Sequence, residues 1–185
     1  AAWENVENDA ILGDSLYNYT YNTLVDLNNE GLLPEMVQIG NETNGNILIK
    51  RGEETLAGES PNLYPINWTR QSLLFNRALE AVKEVEITLG KEVKTLIHIA
   101  DPLSATSWFS NAKTNGLTDF DLIGLSYYPQ WHDLGVREVA EYVKSLKDQF
   151  QKEVMIVEVG YPWTSNGTDQ ANNVLNFDSR LFTYS

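Results

Sequence analysis

Two glutamates stand at the polar ends of two apolar runs. Glu42 closes Met36-Val37-Gln38-Ile39-Gly40-Asn41-Glu42, and Glu158 lies near the end of Val154-Met155-Ile156-Val157-Glu158-Val159-Gly160. Buried parallel strands of α/β proteins read this way, apolar through the sheet and functional at the carboxyl end. One such Glu alone is most simply a carboxylate that meets water as the chain leaves the core. Two inward carboxylates on parallel strands of one sheet are what acid/base work on a glycosidic bond requires.

Alternation along the strands supports an inward pair, because successive side chains face opposite ways. On the first run Gln38, Gly40 and Glu42 share a parity, and Val37 and Ile39 take the other. On the last, Ile156, Glu158 and Gly160 share one, with Val157 and Val159 opposed. A strand between them sets Gly124, Ser126 and Tyr128 against Ile123, Leu125 and Tyr127. In each case the apolar set fits under helices and the polar set faces inward. Trp131 and Trp163 each follow a strand end by a few residues and lie near a proline. That places flat apolar faces at the rim, where a sugar ring could stack. Trp68, at a helix start, reads as core packing.

The elements that must carry these residues follow from period and punctuation. Helical spacing runs from Asp14 to Glu30, with Gly31 as the stop, and Pro34 leads into the strand Met36 to Asn41. A long Gly-, Glu-, Pro- and Asn-rich loop spans Thr43 to Ile66, a length more often functional than idle. A helix is predicted from Trp68 to Leu89, with Leu74, Ala78, Ala81, Val82 and Val85 as its stripe. Then come a strand from Val93 to Ala100, a short helix from Ser104 to Lys113 capped by Ser104, and a strand from Phe120 to Tyr128. A helix from Val136 to Phe150 precedes the last strand, Val154 to Gly160. Four strands separated by helices mean parallel βαβ units with right-handed crossovers. No G-x-G-x-x-G follows a strand and no G-x-S-x-G elbow is present, so dinucleotide binding and that hydrolase class lack support. Polar residues cluster after the carboxyl ends of strands, where a (β/α)8 barrel keeps its active site.

Composition narrows the partners. The 185 residues carry a net charge of −13, which disfavours nucleic-acid backbones and anionic membranes and suits a neutral ligand. Cysteine is absent, which excludes disulfides and thiol catalysis, and the two histidines are far apart, which argues against a His/Cys zinc site. No apolar run approaches the ~20 residues of a membrane span. No signal peptide opens the chain, and Ala1-Ala2-Trp3 reads as the start of a trimmed chain.

An ordered set of motifs resembles glycoside hydrolase family 53, the arabinogalactan endo-β-1,4-galactanases. The pieces are V-Q-I-G-N-E at Val37 to Glu42, I-H-I at Ile97 to Ile99, Trp108-Phe109, D-F-D-L-I-G-L-S-Y-Y-P-Q-W-H at Asp119 to His132, and V-E-V-G-Y-P-W-T at Val157 to Thr164. Tyr19-Thr20 and the run from Leu27 to Pro34 also fit. The resemblance implies a retaining endo-glycosidase acting on β-1,4-galactan, with Glu42 as acid/base and Glu158 as nucleophile. It implies a sugar contact for Asn41, a hydrogen bond from Tyr128 to the nucleophile with Tyr127 as the fallback, and a groove lined by His98, Trp131, His132 and Trp163, with a hydrogen-bonded core histidine as the other reading of His98. It also implies a secreted, periplasmic or cell-surface location and a polysaccharide as the partner. The expected fold is a partial (β/α)8 barrel, residues 1–185 as one domain, carrying strands four to seven without strands one to three and eight. The outer strands would then expose edges open to self-association. Two stretches depart from the family: Thr43 to Ile49 replaces an apolar L-W-P-like run, and Ala100-Asp101-Pro102 replaces Asp/Asn-Gly. Calcium, found in some members, belongs to an eighth-strand loop outside this sequence, so no metal or cofactor is expected. The alternatives are a retaining relative acting on another β-glycan, a non-catalytic sugar-binding half-barrel, and an inactive fragment.

Overall fold

The computed structural model describes Val6, residues 8–49 and residues 64–160. The element order is α1 (Asp9–Asn29), β1 (Met36–Ile39), α2 (Trp68–Leu89), β2 (Lys94–Ile99), α3 (Pro102–Thr114), β3 (Leu122–Tyr127), α4 (Pro129–His132), α5 (Val136–Phe150) and β4 (Glu153–Val159). The four strands form one parallel sheet in the order β1-β2-β3-β4. Chain order and sheet order coincide, so each crossover carries its helix over the same face of the sheet.

Helix ends explain where sequence reading and structure differ. α1 starts five residues before the predicted Asp14, because the Asn8 side chain accepts from the amides of Ala10 and Ile11. Past its last residue, Asn29, the chain turns out of the helix at Gly31, φ +72°, where Leu32 N–H bonds Leu27 O and Gly31 N–H bonds Asn28 O. The cap of α3 is Asp101, not the predicted Ser104. Asp101 Oδ1 accepts from Leu103 N at 2.9 Å, Pro102 occupies the first turn, and Ser104 Oγ donates back to Asp101 O. The short α4 was not predicted, since four residues are too few to show a period.

The two sheet faces divide as alternation requires, with one exception. Ile39, Ile97, Ile99, Ile123 and Leu125 point into a core shared with Phe75, Ala78, Val82 and Val85 of α2, Trp108 and Phe109 of α3, and Leu146 of α5. The predicted α2 stripe is buried in full. Trp68 packs edge-on against Trp108, in line with its reading as a core residue. On the opposite face Leu96, His98 and Ser126 are also buried. The exception is β4. Gly124 pairs with Met155 and Leu125 with Ile156, but Ser126 pairs with Glu158, so Val157 is an extra residue at a β-bulge. Ile156 therefore aligns with the helix-facing set rather than with Glu158, which corrects the parity expected for that strand. Val157 instead sits on the inner side, its Cγ1 3.4 Å from where a Cβ on Gly124 would stand. Among the described residues, no helix is long and apolar enough to cross a membrane.

Candidate active site

Glu42 is positioned by a tight turn at the carboxyl end of β1. The turn uses two left-handed residues, Gly40 at φ +77° and Glu42 itself at φ +46°. Any side chain at Gly40 would collide with the loop, since an added Cβ would stand 2.5 Å from Thr43 Cγ2. A non-glycine residue at positive φ is a strained choice, found where the surroundings hold it. Here they do. Thr43 donates to His98 O through both its amide, at 2.9 Å, and its hydroxyl, at 3.0 Å. Asn44 Oδ1 accepts from Ala100 N at 2.7 Å. Further along, buried Gln71 bonds both Ile47 N and Gly45 O, and Arg70 donates to the carbonyls of Ile47 and Leu48. The departure of Thr43 to Ile49 from the family run is thus a loop sewn to β2 and to the first turn of α2.

Glu158 reaches the same place from β4. Uninterrupted alternation from Met155 would set Val157 beside Ser126 and turn Glu158 toward the helices; the bulge restores Glu158 to the inner face. Its side chain is 34% exposed, and Oε2 accepts from Tyr128 Oη at 2.8 Å. That hydrogen bond, with burial and the charges of Glu158 and Glu42, raises the pKa of the Tyr128 hydroxyl, so the phenol stays protonated as a donor. Tyr127 is held elsewhere: it is buried, and its hydroxyl donates to Leu134 O at 2.7 Å.

Between the two carboxylates stands His98, with no exposed surface. Of its two readings the structure therefore bears out the hydrogen-bonded core histidine and not the groove-lining one, and the ring stands behind the carboxylates. Its Nδ1 accepts from Glu42 N–H at 3.3 Å and lies 3.9 Å from Glu158 Oε1. Its Nε2 lies 2.8 Å from Ser126 Oγ, and Ser126 Oγ donates to Glu42 Oε1 at 2.6 Å. Burial lowers the pKa of His98 against the opposing pull of Glu158 and Glu42. Ser126 carried no predicted role. The only signal for it was its place in Ser126-x-Tyr128, which sets both hydroxyls on one face of β3.

The remaining residues surround this centre. Asn41 is exposed, and its Oδ1 accepts from Gln38 Nε2 at 3.2 Å, which leaves the amide nitrogen as the donor end. α4 carries Trp131, 59% exposed, with its ring 5.2 Å from that of Tyr128. His132 is half-buried, with Nδ1 accepting from Tyr128 N–H at 3.2 Å, and burial lowers its pKa despite Asp101 and Glu42 nearby. Trp163, the remaining predicted groove residue, lies outside the described residues.

Glu42, His98 and Glu158 each present a ligand-type atom within 4.8 Å of the others. Both nitrogens of His98 are already engaged, so a cation there would have to break its bonds to Glu42 and Ser126. The arrangement fits paired carboxylates better. Carboxyl groups ~5–5.5 Å apart serve double displacement, whereas ~6.5–9.5 Å leaves room for the water of an inverting reaction.

The sequence model of glycosyl hydrolase family 53 matches residues 1–185. The chain belongs to glycosyl hydrolase family 53. It is 42% identical over 174 residues to an arabinogalactan endo-β-1,4-galactanase of Cellvibrio japonicus, covering 94% of this chain and 44% of that protein. An endo-β-1,4-galactanase of Bacillus subtilis is 29% identical over 185 residues, or 99% of this chain and 38% of that one. A solved family 53 catalytic domain from Ignisphaera aggregans superposes with a TM-score of 0.73 at 30% identity, over 95% of this chain and 44% of that domain. A structure of fungal β-1,4-galactanases, 24% identical, shares the fold with a TM-score of 0.72. The chain thus spans less than half the length of these relatives. The solved family 53 neighbours are (β/α)8 barrels, and the four parallel strands and their helices belong to that architecture.

Proposed function

We propose that this family 53 chain carries the catalytic pair of an endo-β-1,4-galactanase that cleaves with retention of configuration. The observation that carries the reading is the approach of Glu42 and Glu158 to within 4.8 Å at the carboxyl ends of two parallel strands. In the first step the Glu158 carboxylate attacks the anomeric carbon, and the bond to the leaving sugar oxygen breaks as Glu42 gives that oxygen its proton. In the second step Glu42, now a carboxylate, takes a proton from water. The water oxygen bonds the anomeric carbon, and the ester to Glu158 breaks. Tyr128 holds Glu158 by its hydroxyl, as an ionised nucleophile needs. Asn41 offers an amide donor to a sugar hydroxyl, and Trp131 an exposed face for a sugar ring. Galactan is a polymer outside cells, so the enzyme would act beyond the cytoplasm.

The experiment is hydrolysis of a panel of β-glycans by the protein that carries this chain, with reducing ends measured over time. β-1,4-Galactan is the expected substrate, and Glu42→Ala and Glu158→Ala should each lose at least ~10³-fold in kcat. Wild-type-like turnover in either variant, or cleavage of another β-glycan in preference to galactan, contradicts the reading.

A further inference from the structure

We propose that His98 and Ser126 are positioning residues that hold the Glu42 carboxyl in one orientation and keep Oε1 an acceptor, so that the proton it transfers rides on Oε2. The inference rests on reading Glu42 as the acid/base.

The direction of each bond in the circuit follows from what each group can do. A backbone amide can only donate, so Glu42 N–H makes His98 Nδ1 the acceptor. A neutral imidazole has one proton, which must then sit on Nε2 and point at Ser126 Oγ, 2.8 Å away. The Ser126 oxygen is thereby used as an acceptor, and its own proton is directed to Glu42 Oε1 at 2.6 Å. The circuit closes on the residue where it began, joining the main chain of Glu42 to its carboxyl through two side chains that have no exposed surface.

Neutrality of His98 is the condition for this. A cation would place a second proton on Nδ1, facing the Glu42 amide, and break the circuit. Burial disfavours that cation and lowers the pKa of His98. Among the described residues, the charged and titratable groups facing Glu42 are Glu158 from β4, His98 from β2, Tyr128 from β3 and His132 from α4. None of the others donates to Oε1 among the described residues. With Oε1 occupied by Ser126, the proton of the acid form is left to Oε2, the oxygen available to a leaving group.

Two measurements test this. The first needs no activity: the imidazole ¹⁵N spectrum of the wild-type chain should show His98 neutral and protonated on Nε2 at neutral pH. A ring protonated on Nδ1, or on both nitrogens, overturns the proposal. The second compares leaving groups. Ser126→Ala should lower kcat/KM on galactan by roughly tenfold to a hundredfold, a part of what a general acid supplies. On a dinitrophenyl β-galactooligosaccharide, whose phenolate leaves without a proton, the same variant should stay within about threefold. Ser126→Thr, which keeps the hydroxyl, should restore galactan cleavage. Equal losses on both substrates, or no rescue by threonine, overturn the proposal. If Ser126→Ala fails to fold, the spectrum and the threonine variant still decide. A wild-type protein that cleaves neither substrate would sink the galactanase reading, while the spectrum would still decide the circuit.

Discussion

The two carboxylates are held in different ways. Glu42 is fixed by main chain and side chain together: a turn with two left-handed residues, a threonine and an asparagine sewn to β2, and a closed hydrogen-bond circuit through His98 and Ser126. Glu158 is brought into place by the path of its strand, through one bulged residue, and among the described residues one hydroxyl, that of Tyr128, donates to its carboxyl. In the double displacement proposed here the difference has a use. An acid/base must present one oxygen to the leaving group and then to water, so its orientation is worth fixing. A nucleophile must move onto the anomeric carbon and off again, so a donor that is not closed into such a circuit suits it.

Substitutions at the holding residues should separate the two ends. Tyr128→Phe removes the donor from Glu158 but keeps the ring against Trp131. It should lower kcat by about 10²-fold, the scale of losing one well-placed donor (~2.7 kcal/mol), with little change in KM. An unchanged kcat would mean that Tyr128 does not hold the nucleophile. Gly40→Ala strikes the other end. With φ at +77° and Thr43 Cγ2 at 2.5 Å from the new methyl, it should destabilise the fold by ~1–3 kcal/mol and move the midpoint of urea unfolding accordingly. Unchanged stability would show that the turn is not held as described.

The smallest effect is a pH dependence that belongs to the Glu42 side. Burial holds the pKa of His98 below its ordinary value of 6.5. Above the ordinary value both folded and unfolded chains carry the neutral ring. Below it the unfolded chain binds a proton that the folded chain refuses, until the lowered folded value is reached. His98 should therefore cost stability as pH falls through that window, by at most ~1.4 kcal/mol per pH unit. His132 acts in the same direction. Urea unfolding of wild type and His98→Gln at about pH 7.5 and about pH 5.5 should show a shallower loss in the variant. Equal slopes would remove His98 from the account.

What the sequence made legible was whatever depends on local period. The four strands, the parallel order and the helix stripe of Leu74, Ala78, Ala81, Val82 and Val85 follow from alternation and helical spacing, and all appear in the fold. The inward set Gly124, Ser126 and Tyr128 was legible for the same reason. The bulge at Val157 was not, because counting parity assumes an unbroken ladder, and only pairing with β3 reveals the extra residue. The work of His98 was hidden too. Its partners lie 56 residues before it and 28 after it in the chain, and only the registers β1–β2 and β2–β3 bring them to one ring. Ser126 carried too little chemistry of its own to stand out until its oxygen was seen between an imidazole and a carboxylate.

The central claim is that Glu42 and Glu158 act on one glycosidic bond from a separation suited to double displacement. The anomeric configuration of the first-formed sugar, followed by ¹H NMR before mutarotation, tests it most directly. The β-anomer should appear first from β-1,4-galactan. Initial release of the α-anomer would contradict the account, because it would require a water between two carboxylates that approach within 4.8 Å.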